Sequence, residues 1–156
     1  MSFTVRLLIF LILNFGALAL GGLSTGKAVT GDWYLQLNKA PWTPPGFVFG
    51  LSWTIIMICL SILMAKWSMS VSGSELTKVL IIYAIQWVLN VVWNPVFFSF
   101  HQILAGQIII FALLLLVIYM MKMSWPTVGN WALLLLPYIL WLAIANSLNF
   151  YALVKN

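Results

Sequence analysis

Little in this sequence could carry ordinary catalysis. Asp32 and Glu75 are its only acids, His101 its only imidazole and Cys59 its only thiol among 156 residues. No carboxylate pair, metal cluster or nucleophile with a base beside it can be assembled from that inventory. His101 has no companion ligand for iron or zinc. Cys59 lies in an apolar run, where a thiol serves as a small packing residue, and a lone cysteine excludes an intramolecular disulfide. The chemistry on offer is of another kind. Nine tryptophans accompany carboxamides at Asn14, Gln86, Asn90, Asn94 and Asn146, all inside otherwise apolar stretches. Indole faces stack on flat rings, while indole N–H groups and amides supply a few directed hydrogen bonds. The pattern therefore favours holding a flat apolar molecule.

Those side chains must be held by elements built for lipid. The chain is 64% apolar and 6% charged, with a mean hydropathy of +1.10. A soluble domain carries about 25% charged residues, and disorder needs low hydrophobicity. Seven bases against two acids give a net charge of +5. They are scattered, with no basic run to follow a phosphate backbone, so no nucleic-acid partner is expected. Five apolar spans succeed one another at residues 5–24, 46–67, 78–99, 103–122 and 131–153. A helical span of 22 residues is about 33 Å long, enough to cross a bilayer. Continuous apolarity without two-residue alternation favours helices over a barrel. The expectation is an all-α membrane protein, a five-transmembrane-helix bundle forming one membrane domain over 1–156, with its termini on opposite sides.

Arg6, Lys66, Lys78 and Lys122 fall on one side of that bundle and Lys27, Lys39 and Lys155 on the other, too even a split for the positive-inside rule to orient it. A cleaved signal peptide, with Arg6 before the apolar run and Ala17-Leu18-Ala19 as the cleavage site, competes for the first span. The length of that run, and Asn14 within it, favour a retained helix. No Asp or Glu falls inside a span, and five spans do not divide into equal inverted repeats, which weighs against an ion-coupled pump or exporter.

One connection is long. Residues 25–45 hold two Trp, one Tyr, two Lys and an Asp, and Pro41, Pro44 and Pro45 lead into the second span, where proline suits a helix start. Loops of this length are commonly functional, and this one reads as a lid over a pocket. An interfacial belt accounts for Trp33, Trp42, Trp67, Trp125 and Trp131, but not for Trp53, Trp87, Trp93 and Trp141, which fall within spans. Counted from the lid side at about 1.5 Å per residue, Trp53, Asn90, Trp93, Asn94 and Asn146 lie about 8–13 Å deep, and Asn14 and Trp141 about 15–18 Å. Most of these groups, from several helices, converge on the half of the membrane beneath the loop. Gln86, Asn90, Trp93 and Phe97 recur along one helical face. Amides at such depth often serve as interhelical glue; indoles interleaved with them favour a lined cavity. Pro95 and Pro137, inside the third and fifth spans, are expected to bend their helices, toward a cavity or for packing alone. Gly46 and Gly50 would permit close helix approach, within the bundle or between two copies.

Ala40-Pro41-Trp42-Thr43-Pro44-Pro45, followed by Phe49-Gly50-Leu51-Ser52-Trp53, resembles the P-x-W-x-P-P…G-x-x-W signature of the TspO/MBR family. These are the translocator proteins, called tryptophan-rich sensory proteins in bacteria and formerly the peripheral benzodiazepine receptor. Gln86…Asn90…Trp93-Asn94-Pro95 and Pro137-Tyr138…Trp141…Leu148-Asn149-Phe150 continue the likeness in order over essentially the whole chain. The resemblance implies a five-helix bundle, commonly a homodimer, in a bacterial cytoplasmic membrane, with a pocket closed by the first loop. Family members bind porphyrins such as protoporphyrin IX, sterols in animals, and synthetic isoquinoline carboxamide and benzodiazepine-like ligands. Carried over by motif position, Trp53 and Trp141 are the pocket pair, joined by Asn90, Trp93, Tyr34 and Ala145. Pro44 and Phe97 complete the candidate lining. No metal or cofactor is required, porphyrin being the ligand. Leu148, Tyr151 and Lys155 fit the animal sterol pattern, but Phe150 stands at the family's Tyr after Leu-Asn and Lys155 where Arg is typical. Such patterns match apolar helix ends by chance, and sterol binding is not inferred from it.

The leading expectation is thus a membrane receptor for a flat tetrapyrrole. Trp53 and Trp141 would flank its ring plane, Asn90 and Tyr34 would give hydrogen bonds, and Lys27 or Lys39 would meet the propionates. One alternative is light- and oxygen-dependent porphyrin degradation, in which Trp53 and Trp141 would be the reactive residues. Another is a passive tetrapyrrole or sterol translocator.

Overall fold

The computed structural model describes residues 1–156, and all of its regular structure is helical. Helix α1 runs Phe3–Ala28, a short α2 Asp32–Gln36, α3 Gly46–Ser70, α4 Gly73–Asn94, α5 Ile103–Val128 and α6 Leu136–Lys155. A wide turn at Pro95–Ser99 extends α4, and tight turns at Gly129–Leu135 precede α6. Hydrocarbon offers no hydrogen-bond partner, so each apolar segment must satisfy its own backbone. Accordingly, 106 of the 116 backbone hydrogen bonds lie within regular elements.

Four helical stretches are long and apolar enough to span a bilayer, and the last, Ile103–Lys155, has 53 residues. It holds two crossings, because the chain folds back at Gly129. There φ is +57° and ψ −132°, a conformation open essentially to glycine alone. The helix stops and α6 returns along α5. The protein is therefore an integral membrane five-helix bundle with its termini on opposite sides.

Helices overrun the expected spans because apolarity marks only the part in hydrocarbon, while backbone pairing continues past it. α1 ends at Ala28, α4 begins at Gly73, and α5 continues to Val128. The long connection is correspondingly shorter than 25–45 and contains α2. Pro137 bends nothing: it is the second residue of α6, where no helical N–H is needed. Trp67 is 1% exposed and belongs to the core, not to an interfacial belt, since α3 runs three residues past it.

The bundle is solid at one end. Ile56, Met57, Leu60, Met64 and Trp67 of α3 interlock with Val117 and Met120 of α5 and with Leu135, Tyr138 and Leu142. A buried polar bridge ties three helices near mid-length. Tyr83 donates to Asn14 Oδ1 at 2.8 Å, Asn14 Nδ2 donates to Ser61 Oγ at 2.9 Å, and Ser61 donates to the Met57 carbonyl at 2.6 Å. At the other end the helices part. α1 and α4 stay close there because Gly21 has no side chain; a Cβ on it would lie 2.6 Å from Asn94 Nδ2. That amide is fixed on both sides, with Thr25 donating to Asn94 Oδ1 at 2.9 Å and Asn94 Nδ2 donating to the Asn90 carbonyl at 3.0 Å. Gly21→Ala is accordingly expected to destabilise the bundle by about 1–3 kcal/mol, the usual cost of overpacking, measurable by unfolding in detergent.

The first connection is fastened to α6 and to the α4–α5 turn. Asn38 N–H donates to Asn156 Oδ1 at 2.9 Å, Asn38 Nδ2 to the Lys155 carbonyl at 3.1 Å, and Trp42 Nε1 to Ser147 Oγ at 3.1 Å. Trp33 stacks on His101 with ring centroids 4.1 Å apart.

Candidate ligand cavity

Under the first connection, the open end of the bundle encloses a cavity of about 500 Å³ between α1, α3, α4 and α6. That volume falls within the roughly 300–1,000 Å³ of small-molecule sites. α3 contributes Phe49 and Trp53, α4 Asn90, Trp93 and Asn94, and α6 Trp141 and Ala145. Tyr34, Lys39, Thr43 and Pro44 reach it from the connection above. Trp141 meets the Phe49 ring edge-on at 5.1 Å, and Trp53 meets Tyr138 edge-on at 5.8 Å. Both indoles are thereby set by rings that are themselves packed.

Asn90 is 5% exposed and lies on the cavity wall. Its carbonyl accepts from Asn94, but its side-chain amide makes no hydrogen bond within the chain, leaving donor and acceptor free in an apolar setting. Nearby, Trp93 Nε1 is closed off from solvent and also unpartnered. Lys39 Nζ sits 4.4 Å above the Tyr34 ring, a cation–π contact that holds a positive charge at the cavity. Burial pushes the Tyr34 phenol above its ordinary range, so it stays a neutral donor at physiological pH.

Seven of the eight residues singled out from sequence line this cavity: Tyr34, Pro44, Trp53, Asn90, Trp93, Trp141 and Ala145. Phe97 does not. It lines an adjoining recess of about 50 Å³ and packs on Trp33 and Trp93. The cause is Pro95, which has no N–H for the helix ladder. After it Phe100 N–H reaches back five residues to the Pro95 carbonyl at 2.9 Å. A π-type turn carries more residues per revolution, so the face through Asn90 returns one residue late and Phe98 lines the cavity instead. Lys39 reaches the site and Lys27 does not.

Three deep amides are glue. Asn14 is in the polar bridge, Gln86 donates to the Tyr138 hydroxyl at 2.8 Å, and Asn146 donates to the Ile110 and Leu142 carbonyls at 3.2 and 2.8 Å. Trp87 is likewise occupied, donating to the Leu13 carbonyl at 2.8 Å. Sequence reasoning overlooked the α1 wall. Ala17, Gly21 and Thr25 all line the cavity, and their four-residue spacing was the available signal: a stripe of small residues along one helical face.

Comparison with known proteins bears on this architecture directly. A family model described as the TspO/MBR family matches residues 8–154. The chain belongs to the TspO/MBR family. Protein CrtK of Rhodobacter capsulatus is 31% identical over 137 residues, covering 87% of this chain and 86% of its own length. The tryptophan-rich sensory protein of Cereibacter sphaeroides is 34% identical over 148 residues, covering 94% and 91%. The translocator protein of Bos taurus is 31% identical over 140 residues, covering 85% and 81%. In this TspO/MBR chain the proline-rich segment Pro41–Pro45 crosses from the fastened connection into α3. Its Thr43 and Pro44 reach the cavity, while Trp42 faces away and meets Tyr151 of α6 edge-on at 5.4 Å. Gly46 and Gly50 bring no two helices together within the chain, since a Cβ on either would meet nothing within 4 Å.

Proposed function

We propose that this TspO/MBR protein is a membrane receptor for porphyrins of the protoporphyrin IX kind and similar flat apolar molecules. One observation carries the reading. The free Asn90 amide lies on the wall of a cavity also walled by Trp53, Trp93 and Trp141, a setting that offers ring faces for a planar ligand and one directed hydrogen bond. Lys39, held over Tyr34, supplies a cation for a propionate. Titrating tryptophan fluorescence with protoporphyrin IX tests the proposal. Saturable quenching is expected, and quenching no stronger than that of free tryptophan in the same detergent would overturn it.

The amides separate structural from ligand roles. Asn90→Leu is expected to weaken porphyrin binding by about five- to tenfold, one neutral hydrogen bond of about 1 kcal/mol, with unfolding unchanged. Asn14→Leu strips the bridge to Ser61 and Tyr83, so it is expected to lower stability by about 0.6–2 kcal/mol and leave the dissociation constant near the parent's. Unfolding curves and titrations on both variants check the pair.

Trp53 and Trp141 both line the cavity, which favours a second reading: oxidisable indoles within reach of a photoexcited porphyrin, and hence light- and oxygen-dependent breakdown of the bound porphyrin. Illuminated complex should then lose porphyrin absorption faster than porphyrin free in detergent. Equal rates dismiss catalysis and leave the receptor.

A further inference from the structure

We propose that the cavity loads sideways from the bilayer, a flat amphiphile sliding edge-on between α1 and α3 past Gly22, Gly46 and Gly50 while the connection above stays fastened. The inference rests on reading the cavity as a ligand site. Exposure of its lining is uneven: Ala17 and Gly21, deeper on α1, are buried, but the lining nearer the mouth of the α1–α3 seam is not. On the α4 and α6 side Asn90, Phe98, Trp141 and Ala145 are buried, whereas Gly22 of α1 and Gly46 and Gly50 of α3 are exposed although they line the same cavity. A Cβ on any of these three would meet no atom within 4 Å. The wall is therefore interrupted at the α1–α3 seam. Deeper in the bundle the same two helices are joined by the Asn14–Ser61 hydrogen bond, which closes the seam below the cavity.

The connection above is pinned elsewhere. Lifting it would break the Asn38 bonds to Asn156 and Lys155, the Trp42–Ser147 bond and the Trp33–His101 stack. Passing between α1 and α3 breaks none of them. Gly50 lies about 6 Å into α3 and Gly22 about 9 Å from the end of α1. The gap thus opens at the boundary of headgroups and acyl chains, the layer in which an amphiphile with an apolar body and a polar edge resides. Lys39, exposed yet on the cavity lining, stands ready to receive an anionic edge.

The test is the exchange rate of protoporphyrin IX in bilayer nanodiscs, followed by tryptophan quenching after rapid mixing. Gly22→Leu and Gly50→Leu place a side chain in open space, so folding tolerates them, and each is expected to slow association and dissociation together by about tenfold, since a plug raises the barrier from either side. Asn38→Ala, which loosens the fastening, is expected to leave both rates as in the parent. Parental rates in the leucine variants, faster dissociation in them, or faster exchange in Asn38→Ala would each overturn lateral loading. If the parent does not bind protoporphyrin IX, the receptor reading fails by itself, and the route is read without that ligand. Ala145→Cys in a Cys59→Ser background is labelled by pyrene maleimide dissolved in the bilayer. Labelling about tenfold slower when Gly50→Leu is added supports the lateral path, and unchanged labelling refutes it.

Discussion

Replacing Trp53 and Trp141 together by phenylalanine is expected to raise the dissociation constant for protoporphyrin IX by about 10- to 100-fold, a loss of about 1.4–2.7 kcal/mol. Phenylalanine keeps a ring in each place, so the edge-on contacts of Trp141 with Phe49 and of Trp53 with Tyr138 retain partners and the bundle should fold. What disappears is ring area facing the cavity and two indole N–H groups, where aromatic pairs contribute about 0.5–1.5 kcal/mol beyond area burial. The double variant matters because the indoles come from different helices, α3 and α6. A ligand lying anywhere in the cavity must be near at least one of them, and either single substitution leaves the other face intact. Fluorescence from the remaining seven tryptophans, Trp93 among them, still reports the titration. Binding equal to the parent's would show that porphyrin does not lie between these helices.

How much of this was readable beforehand follows a physical line. Depth along a helix is linear in residue number, so the convergence of Trp53, Asn90, Trp93 and Trp141 on one end of the bundle could be counted from the sequence. Azimuth is harder. Asn14, Asn90 and Asn146 sit in equally apolar runs, and nothing local says that two of them turn toward neighbouring helices while Asn90 turns toward a void. The Gln86–Asn90–Trp93 face held as far as Pro95, where a wide turn shifted the phase and exchanged Phe97 for Phe98; the proline was visible, the direction of its effect was not. The wall made by Gly22 leaves almost no trace, because hydrophobic patterning registers side chains and glycine has none; Gly21 is marked only by its four-residue spacing from Ala17 and Thr25. The fastening of the first connection joins Asn38 to Asn156 across 118 residues, a pairing that no short-range pattern encodes.

Filling the cavity should separate binding from stability more sharply than any deletion. Ala145 is 7% exposed and sits one helical turn beyond Trp141, on the wall of both the main cavity and the smaller recess. Ala145→Phe would put a ring into space now empty, beside Trp141 on the same face of α6. The ring and a porphyrin cannot occupy that space together, so the dissociation constant is expected to rise by about 100-fold or more, about 3 kcal/mol. Stability should move the other way or hold, because an apolar ring entering a void gains contacts without displacing packed atoms. A variant that merely misfolds would lose binding and thermal stability together. Opposite signs in the two measurements, made on the same detergent preparation, would place the ligand in this cavity. Unaltered porphyrin affinity with the ring in place would put the binding site elsewhere on the bundle.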